Sequence, residues 1–257
     1  MKKNILKSLI VIGTVFGMMG CGDGDSSLVE NGDSSLGSAG LVEETLILGT
    51  ESISPEIQEI IDGSISEISQ ELTNTLSFMG NEERLAYDIY NYLYLKFGNK
   101  AFTNIATKGE YQHISLVQKL IQKYKLSDDV YFTNVEVPLG YMNTAIEDME
   151  AGVYDVSKIQ DLYDALIARA TNVTEALKVG CIVEVVDIMD LDHYILVAEA
   201  EGATDIIEVF KVLRAGSYNH YWTFDGALQD GCCATAREIL GTTECPTKED
   251  YPESNKK

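Results

Sequence analysis

The chain has 257 residues, 45% of them hydrophobic and 9% aromatic, so it can bury a sizeable core. Its 41 acidic side chains against 19 basic ones give a formal net charge of -22. This charge would repel a phosphate backbone or an anionic membrane surface, so we exclude nucleic acid as a partner and any membrane binding through surface charge.

Residues 1–20 have the pattern of an export signal. A basic start precedes an apolar stretch at 9–19, which is shorter than a typical membrane-spanning helix. Gly20-Cys21 then resembles the lipobox of bacterial lipoproteins, with Met18 where leucine is usual. The resemblance implies acylation of the cysteine and an exported protein anchored to a membrane of the cell envelope by lipid alone. An ordinary cleaved signal followed by an incidental cysteine is the alternative.

The composition divides the rest of the chain into three parts. Residues 21–52 are rich in Gly, Ser and Asp and contain few large apolar side chains, which predicts a flexible tether. A folded helical domain is predicted over 53–230, starting near Ser54-Pro55, a capping residue followed by proline. Residues 231–257 are predicted to form a cysteine-containing tail.

Four long amphipathic helices are predicted within the folded part, because apolar side chains recur there at steps of three and four residues. They cover residues 81–97, 106–124, 173–198 and 204–228. An interruption is expected near Gly80, before the first of them. The connection at 126–172 is long and contains a short predicted helix at 157–170. No convincing strand pattern is present, so the sequence predicts an all-α fold.

The apolar stripes of the four helices are interrupted by acids and histidines that suit a metal site. These residues are Glu83, Glu110, His113, Glu184, Asp187 and His220. The Glu-x-x-His spacing places Glu110 and His113 one turn apart on one helix face. A buried glutamate there would be costly unless a partner or a cation neutralised it, so the set predicts a bound metal ion.

Other interpretations apply to some of these acids and histidines. A single buried histidine is more often a hydrogen-bonded core residue than a ligand. A partly solvated helix face is the alternative for Asp187, because Asp190 and Asp192 follow it. We expect Glu82 to lie on such a solvated face, and His193 to lie outside the inner stripe and to be exposed.

The positions of the acids and histidines suit two helical hairpins. In an antiparallel hairpin, residues equally far from the turn lie at the same depth. The midpoint of Glu83 and His113 is Gly98, and the midpoint of Glu184 and His220 is Gly202. Both glycines fall at a predicted turn, so each hairpin brings its own acid and histidine level.

Four sequence blocks, in this order, resemble the bacterial and archaeal family catalogued as domain of unknown function 2202, within the ferritin-like superfamily. The blocks are residues 79–90, 102–113, 176–191 and 216–224. The resemblance implies a ferritin-like four-helix bundle of two antiparallel hairpins joined by a long crossover, holding a pair of iron or manganese ions bridged by carboxylates. The positions that match the expected ligands are Glu83, Glu110, His113, Glu184 and His220.

The sequence departs from the superfamily pattern at one position. Ser217 stands three residues before His220, where a second Glu-x-x-His motif would place glutamate. Asp187, one turn after Glu184, would restore the count of carboxylates. Without that contribution the site would hold one metal ion, or a second one weakly, so both nuclearities stay open.

The cysteines beyond Cys21 fall into two groups. Cys232, Cys233 and Cys245 follow the fourth helix, and in an exported protein a disulfide from Cys245 to one of the vicinal pair is expected. Cys181 lies among apolar residues of the third helix, and we expect it to be a buried free thiol.

Two classes of function remain open at this point. Hard carboxylates with two imidazoles and no thiolate suit iron or manganese, which favours an oxidoreductase that reacts with dioxygen or peroxide. A non-catalytic module of the cell envelope, which sequesters metal or serves as an interaction scaffold, would need the same ligands.

Overall fold

The computed structural model describes residues 53–124, 133–134, 137–138, 149–154, 157–242 and 245–253. The predicted signal peptide, the lipobox cysteine Cys21 and the predicted tether lie outside the described residues. Within the described ranges, every helix is too short or too polar to span a bilayer.

The described chain is helical apart from one short ladder. Two strands of two residues, β1 (Thr133–Asn134) and β2 (Val137–Pro138), pair antiparallel in the long connection, with Thr133 opposite Pro138. The all-α prediction is otherwise confirmed over the described residues. The helical elements in chain order are α1 (Pro55–Asp62), α2 (Gln70–Phe97), α3 (Lys100–Asn104), a π-helical turn (Ile105–Glu110), α4 (Tyr111–Tyr124), α5 (Ser157–Arg169), α6 (Val173–Glu201), α7 (Thr204–Ala227) and α8 (Gly231–Ile239).

Helix α2 starts earlier than predicted and runs through Gly80 without a break. Ser69 caps its first turn, where the hydroxyl accepts a hydrogen bond of 3.1 Å from the Leu72 N–H. Leu72, Leu76 and Met79 are fully buried and extend the apolar stripe towards the N-terminus. Burial of these side chains outweighs the roughly 1 kcal/mol that a glycine costs inside a helix. The predicted interruption is therefore wrong.

The two predicted turn glycines each end a helix in the left-handed conformation. Gly98 follows α2 with φ 67° and Gly202 follows α6 with φ 71°. A residue with a Cβ rarely adopts this conformation, so glycine is favoured at both ends. After these turns α4 packs back on α2, and α7 packs back on α6.

The buried apolar side chains form two clusters with a polar layer between them. One cluster includes Ala86 and Phe224, and the other includes Met79 and Leu213. Glu83 stands between Met79 and Ala86 on α2, where one cluster gives way to the other. The long helices therefore carry their buried polar residues at the level where the two apolar clusters meet.

Two disulfides tie the C-terminal region to the helices. Cys233 bonds to Cys245, which confirms the predicted link between Cys245 and one of the vicinal cysteines. Cys181 bonds to Cys232, with 5.2 Å between their Cα atoms, so its prediction as a free thiol is wrong. The reason is helix α8, which lies in the predicted tail and packs on α6 and α7, bringing Cys232 to Cys181.

Candidate metal centre

The six residues singled out in the sequence all lie in the polar layer between the two apolar clusters. Each of these residues has at most 8% of its surface exposed. They come from α2, the π-helical turn, α4, α6 and α7. The residues are Glu83, Glu110, His113, Glu184, Asp187 and His220.

The first hairpin forms a three-residue group around one histidine. His113 Nδ1 lies 3.0 Å from Glu83 Oε2 and 3.4 Å from Glu110 Oε2. One atom from each side chain falls within 4.8 Å of the others, which is close enough for all three to contact one metal ion.

The second hairpin forms an equivalent group, which also includes Glu110 from the first hairpin. His220 Nδ1 lies 3.0 Å from Glu110 Oε1 and 3.4 Å from Glu184 Oε2. The two imidazole rings are 5.4 Å apart between centroids. Glu110 therefore belongs to both groups and presents one carboxylate oxygen to each.

The arrangement fits a bound cation better than a closed hydrogen-bond network. Glu83 Oε1 and Asp187 Oδ1 are buried acceptor atoms without a hydrogen-bond partner. Burying such an atom without a partner costs free energy, which a coordinated cation would recover. The residues present thus fit a metal ion, and their role as ligands stays a prediction.

The two histidines favour the protonated form when no metal is bound. Burial disfavours the imidazolium, but the carboxylates of Glu83 and Glu110 outweigh it and raise the pKa of His113 well above its usual value. In the same way, Glu184 and Glu110 outweigh burial and raise the pKa of His220 to about 10. A metal ion would have to displace these protons.

The carboxyl groups differ in charge according to their neighbours. Burial raises the pKa of Glu83 to about 7, although His113 opposes this, and burial also raises the pKa of Glu184. For Glu110, His220 and His113 outweigh burial and hold the pKa below its usual range. The carboxylate shared by both groups is therefore the one that stays ionised most readily.

Asp187 lies beside the two groups and outside both of them. Its Oδ2 accepts a hydrogen bond of 2.6 Å from the Ser217 hydroxyl, which also lies 3.0 Å from the Leu213 carbonyl oxygen. Burial and the charge of Glu83 raise the pKa of Asp187 well above its usual value. Ser217 stands where the superfamily pattern has glutamate, and it orients Asp187, the acid expected to replace that glutamate.

Tyr90 adds a contact that the sequence reasoning did not assign. This tyrosine is fully buried, and its hydroxyl donates a hydrogen bond of 2.5 Å to Glu184 Oε1. Burial and the nearby Glu184 raise the pKa of Tyr90 well above its usual value, so the hydroxyl keeps its proton. The bond orients Glu184 towards His220.

Two glycines that the sequence reasoning missed give the histidines their room. A Cβ at Gly109 would lie 2.2 Å from His220 Nε2, and a Cβ at Gly216 would lie 2.3 Å from His113 Nε2. Each glycine precedes the histidine of its own helix by four residues and contacts the histidine of the other hairpin. The repeated Gly-x-x-x-His spacing was the signal that could have revealed them.

The π-helical turn sets the position of Glu110. The Tyr111 N–H bonds to the Ala106 carbonyl five residues earlier, so this turn takes in one residue more than an α-helical turn. Periodicity at 3.6 residues does not predict such a turn, and α4 was predicted to continue straight through it. π-helical turns are frequent at functional sites.

The two flanking residues behave differently from each other. His193 is exposed, as predicted. Glu82 is only 8% exposed, so the prediction of a solvated face is wrong. Burial and the charges of Asp190 and Asp187 raise the pKa of Glu82 well above its usual value. Helix α6 covers Glu82, and periodicity within α2 does not show that contact.

A family model matches most of the chain, and an archaeal protein and its crystal structure are similar to it. Residues 72–242 match the family described as an uncharacterized protein domain, DUF2202. The uncharacterized protein MJ0754 of Methanocaldococcus jannaschii is 35% identical over 158 residues, which is 61% of this chain and 75% of that protein. A crystal structure of hypothetical protein MJ0754 from Methanococcus jannaschii superposes with a TM-score of 0.55 at 29% identity, covering 70% of this chain and 98% of that one. The chain therefore belongs to the DUF2202 family.

Proposed function

We propose that the protein is an exported, lipid-anchored, ferritin-like metalloprotein that holds two iron or manganese ions and reacts with dioxygen or peroxide. The observation that carries the proposal is the position of Glu110, whose two oxygens face one histidine each. A carboxylate placed in this way suits two neighbouring ions better than one.

The residues divide into two sets of ligands. Glu83 and His113 would hold one ion, Glu184 and His220 would hold the other, and Glu110 would contact both. Carboxylate oxygen and imidazole nitrogen are the ligand types that iron and manganese accept at redox sites. When bound, such ions supply one-electron chemistry towards dioxygen or peroxide.

The protein's own residues would position and protect this chemistry. Tyr90 orients Glu184, and Ser217 orients Asp187. A pocket with a cavity volume of about 20 Å³ reaches Glu110, Glu184 and Asp187. That volume suits a guest on the order of one water molecule, the size class of dioxygen and peroxide.

Export and lipid anchoring are supported by two independent features. The lipobox at Cys21 suits acylation. Two disulfides in a chain of this size suit an oxidising compartment, since cytosolic proteins keep their thiols reduced. The ferritin-like assignment is supported by two hairpins of long helices with acids and histidines directed between them.

Metal loading followed by oxidation tests the proposal. The exported protein would be loaded with ferrous iron without oxygen, analysed for iron content, and then mixed with oxygen or peroxide while ferric absorption in the near ultraviolet is recorded. We expect two iron ions per chain and a fast rise in absorption. His113→Ala should lose the iron of the first group and the fast rise in absorption, because His113 stands in that group.

His193→Ala is the matched control, because it removes an exposed imidazole outside the centre. It should behave as the unmodified protein does. Retention of full iron content by His113→Ala would place the iron elsewhere and overturn the proposal. Tight binding of two ions without any reaction with oxidant would assign the protein to metal sequestration instead of catalysis.

A further inference from the structure

A line of side chains on α6 leads from the metal centre to the protein surface. Glu184, Asp187, Asp190 and His193 follow one another at steps of three residues. Three residues rise about 4.5 Å and fall about 60° short of a full turn, so such a series winds gradually round the helix. Glu184 is 2% exposed and Asp187 is 8% exposed, whereas Asp190 is half-buried and His193 is exposed.

Glu82 of α2 faces the middle of this line. Its side chain forms a hydrogen bond with Asp190 and lies close enough to Asp187 for their charges to interact. Glu82 Oε2 is buried and has no hydrogen-bond partner. This oxygen lies beside two further carboxyl groups. A cation or a hydrogen-bond donor would offset the free-energy cost of burying it.

A pocket beside the centre connects Glu82 with the acids of the centre. Glu82 lines it together with Glu110, Glu184 and Asp187, while apolar side chains such as Leu162 form the remaining wall. The pocket therefore has carboxyl groups in its wall from Glu82 to Glu110, the acid shared by the two groups. A cation inside it would meet oxygen ligands at each level.

We propose that Glu82 and Asp190 form an outer binding site for divalent cations, which pass from there along Asp187 to the metal centre. The inference rests on the proposed function, because a transfer site needs a centre to supply. Oxygen ligands suit partly hydrated divalent cations of the manganese and iron type. The net charge of -22 draws such cations to the protein, and a cleft lined by one sign of charge concentrates them further.

The competing explanation is that Glu82 and Asp190 form a carboxyl pair that shares a proton and only supports packing. Uptake kinetics separate the two explanations. A transfer site controls how fast the centre fills, whereas a packing pair affects folding stability and leaves the filling rate unchanged.

The experiment uses the exported full-length protein and Co(II), whose visible absorption reports binding to oxygen and nitrogen ligands. Stopped-flow mixing would give the rate of loading, and elemental analysis would give the final metal content. We expect Glu82→Gln and Asp190→Asn to load about tenfold more slowly at low ionic strength. Both should reach the metal content of the unmodified protein, since neither removes a ligand of the centre.

Glu199→Gln is the matched control, because Glu199 is an exposed acid of the same helix beyond the line. It removes one charge and should leave the loading rate within about twofold of the unmodified protein. Asp190→Asn changes a half-buried group, so it tests the inference even if Glu82→Gln destabilises the fold.

Three results would count against the inference. Equal loading rates for Glu82→Gln, Asp190→Asn and Glu199→Gln would show that there is no transfer site. A lower final metal content in Glu82→Gln would make Glu82 a ligand of the centre instead of an outer site. Absence of Co(II) binding by the unmodified protein would overturn the proposed function together with this inference, which distinguishes it from the first two results.

Discussion

The two helical hairpins contribute to the candidate metal centre in similar ways and differ at one position. In each hairpin the first helix supplies a glutamate, the turn is a left-handed glycine, and the second helix supplies a histidine near that glutamate. Each second helix also has a glycine four residues before its histidine, which leaves room for the opposite imidazole.

The difference lies three residues before each histidine. The first hairpin has Glu110 there, and this one carboxylate faces both imidazoles. The second hairpin has Ser217, which holds Asp187 of the neighbouring helix by a hydrogen bond. The two hairpins therefore differ in what they contribute, because only the first provides an acid that belongs to both groups.

Substitution of Glu110, the acid shared by both groups, should have the largest effect on metal binding. Glu110→Gln keeps the size of the side chain but removes an acid from both groups. We therefore expect affinity for both Mn(II) ions to fall more than about 100-fold, which exceeds the loss typical of residues that only support a ligand. Glu184→Gln should weaken only the ion in the second group. Calorimetric titration with Mn(II) measures both, and two intact sites in Glu110→Gln would refute the shared role.

The glycines should show that the halves depend on each other. A Cβ at Gly109 or Gly216 would overlap the histidine of the opposite hairpin. We therefore expect Gly109→Ala and Gly216→Ala to lower the free energy of unfolding by about 1–3 kcal/mol, through overpacking. Urea unfolding of the metal-free protein, monitored by circular dichroism, measures the change.

Gly226 of α7 supplies the control for this prediction. A Cβ there meets no atom within 4 Å, so Gly226→Ala should be neutral or should stabilise the helix by up to about 1 kcal/mol. If Gly216→Ala were as stable as Gly226→Ala, His113 would be free to move away from the added Cβ. The close fit between the two hairpins would then contribute nothing to stability.

The pH dependence of stability tests the charge states assigned to the two groups. The pKa of His220 rises from 6.5 to about 10 and that of Glu83 from 4.5 to about 7. Each group therefore adds to the free energy of unfolding at low pH. This contribution is fully present below the pKa that the group has in the unfolded chain, and it is lost as the pH rises through the pKa in the folded protein. Glu110 has the opposite sign, but its contribution is constant above about pH 6, since its unfolded pKa lies near 4.5.

The metal-free protein should thus become less stable as the pH rises from about 5 to about 10, while the metal-bound protein has already lost these protons and should change less. The difference in Tm between samples with Mn(II) and with EDTA should widen with pH, by about 2–4 °C for each kcal/mol. A gap that narrows with rising pH would contradict the assigned charge states.

The sequence could predict the parts of the molecule that depend on local periodicity. The hairpins and their glycine turns follow from apolar steps within single helices, and the equal depth of Glu83 and His113 follows from helix rise alone. Their shared burial was predictable because an acid inside an apolar stripe must lie inwards when the stripe does.

The parts that were missed depend on contacts between distant segments. Cys181 gains its partner because α8 packs on α6, and Glu82 lies buried beside Asp187 and Asp190 of α6. The orientation of Asp187 likewise depends on Ser217 from another helix. Periodicity within one helix contains no information on which face of another helix it meets, so these contacts required the tertiary structure.

The π-helical turn at Ile105–Glu110 has a consequence for how this chain tolerates insertions and deletions. One residue in an α-helix corresponds to a rotation of about 100°. Because the turn contains one extra residue, side chains before it, such as Phe102, and side chains after it, such as His113, face the interior in two different registers. Deleting one residue inside the turn would leave a regular α-helix with both sets still facing the interior, whereas a deletion elsewhere in this helical segment would rotate one set by about 100°. A relative with a plain α-helix here would align with a one-residue gap inside the turn.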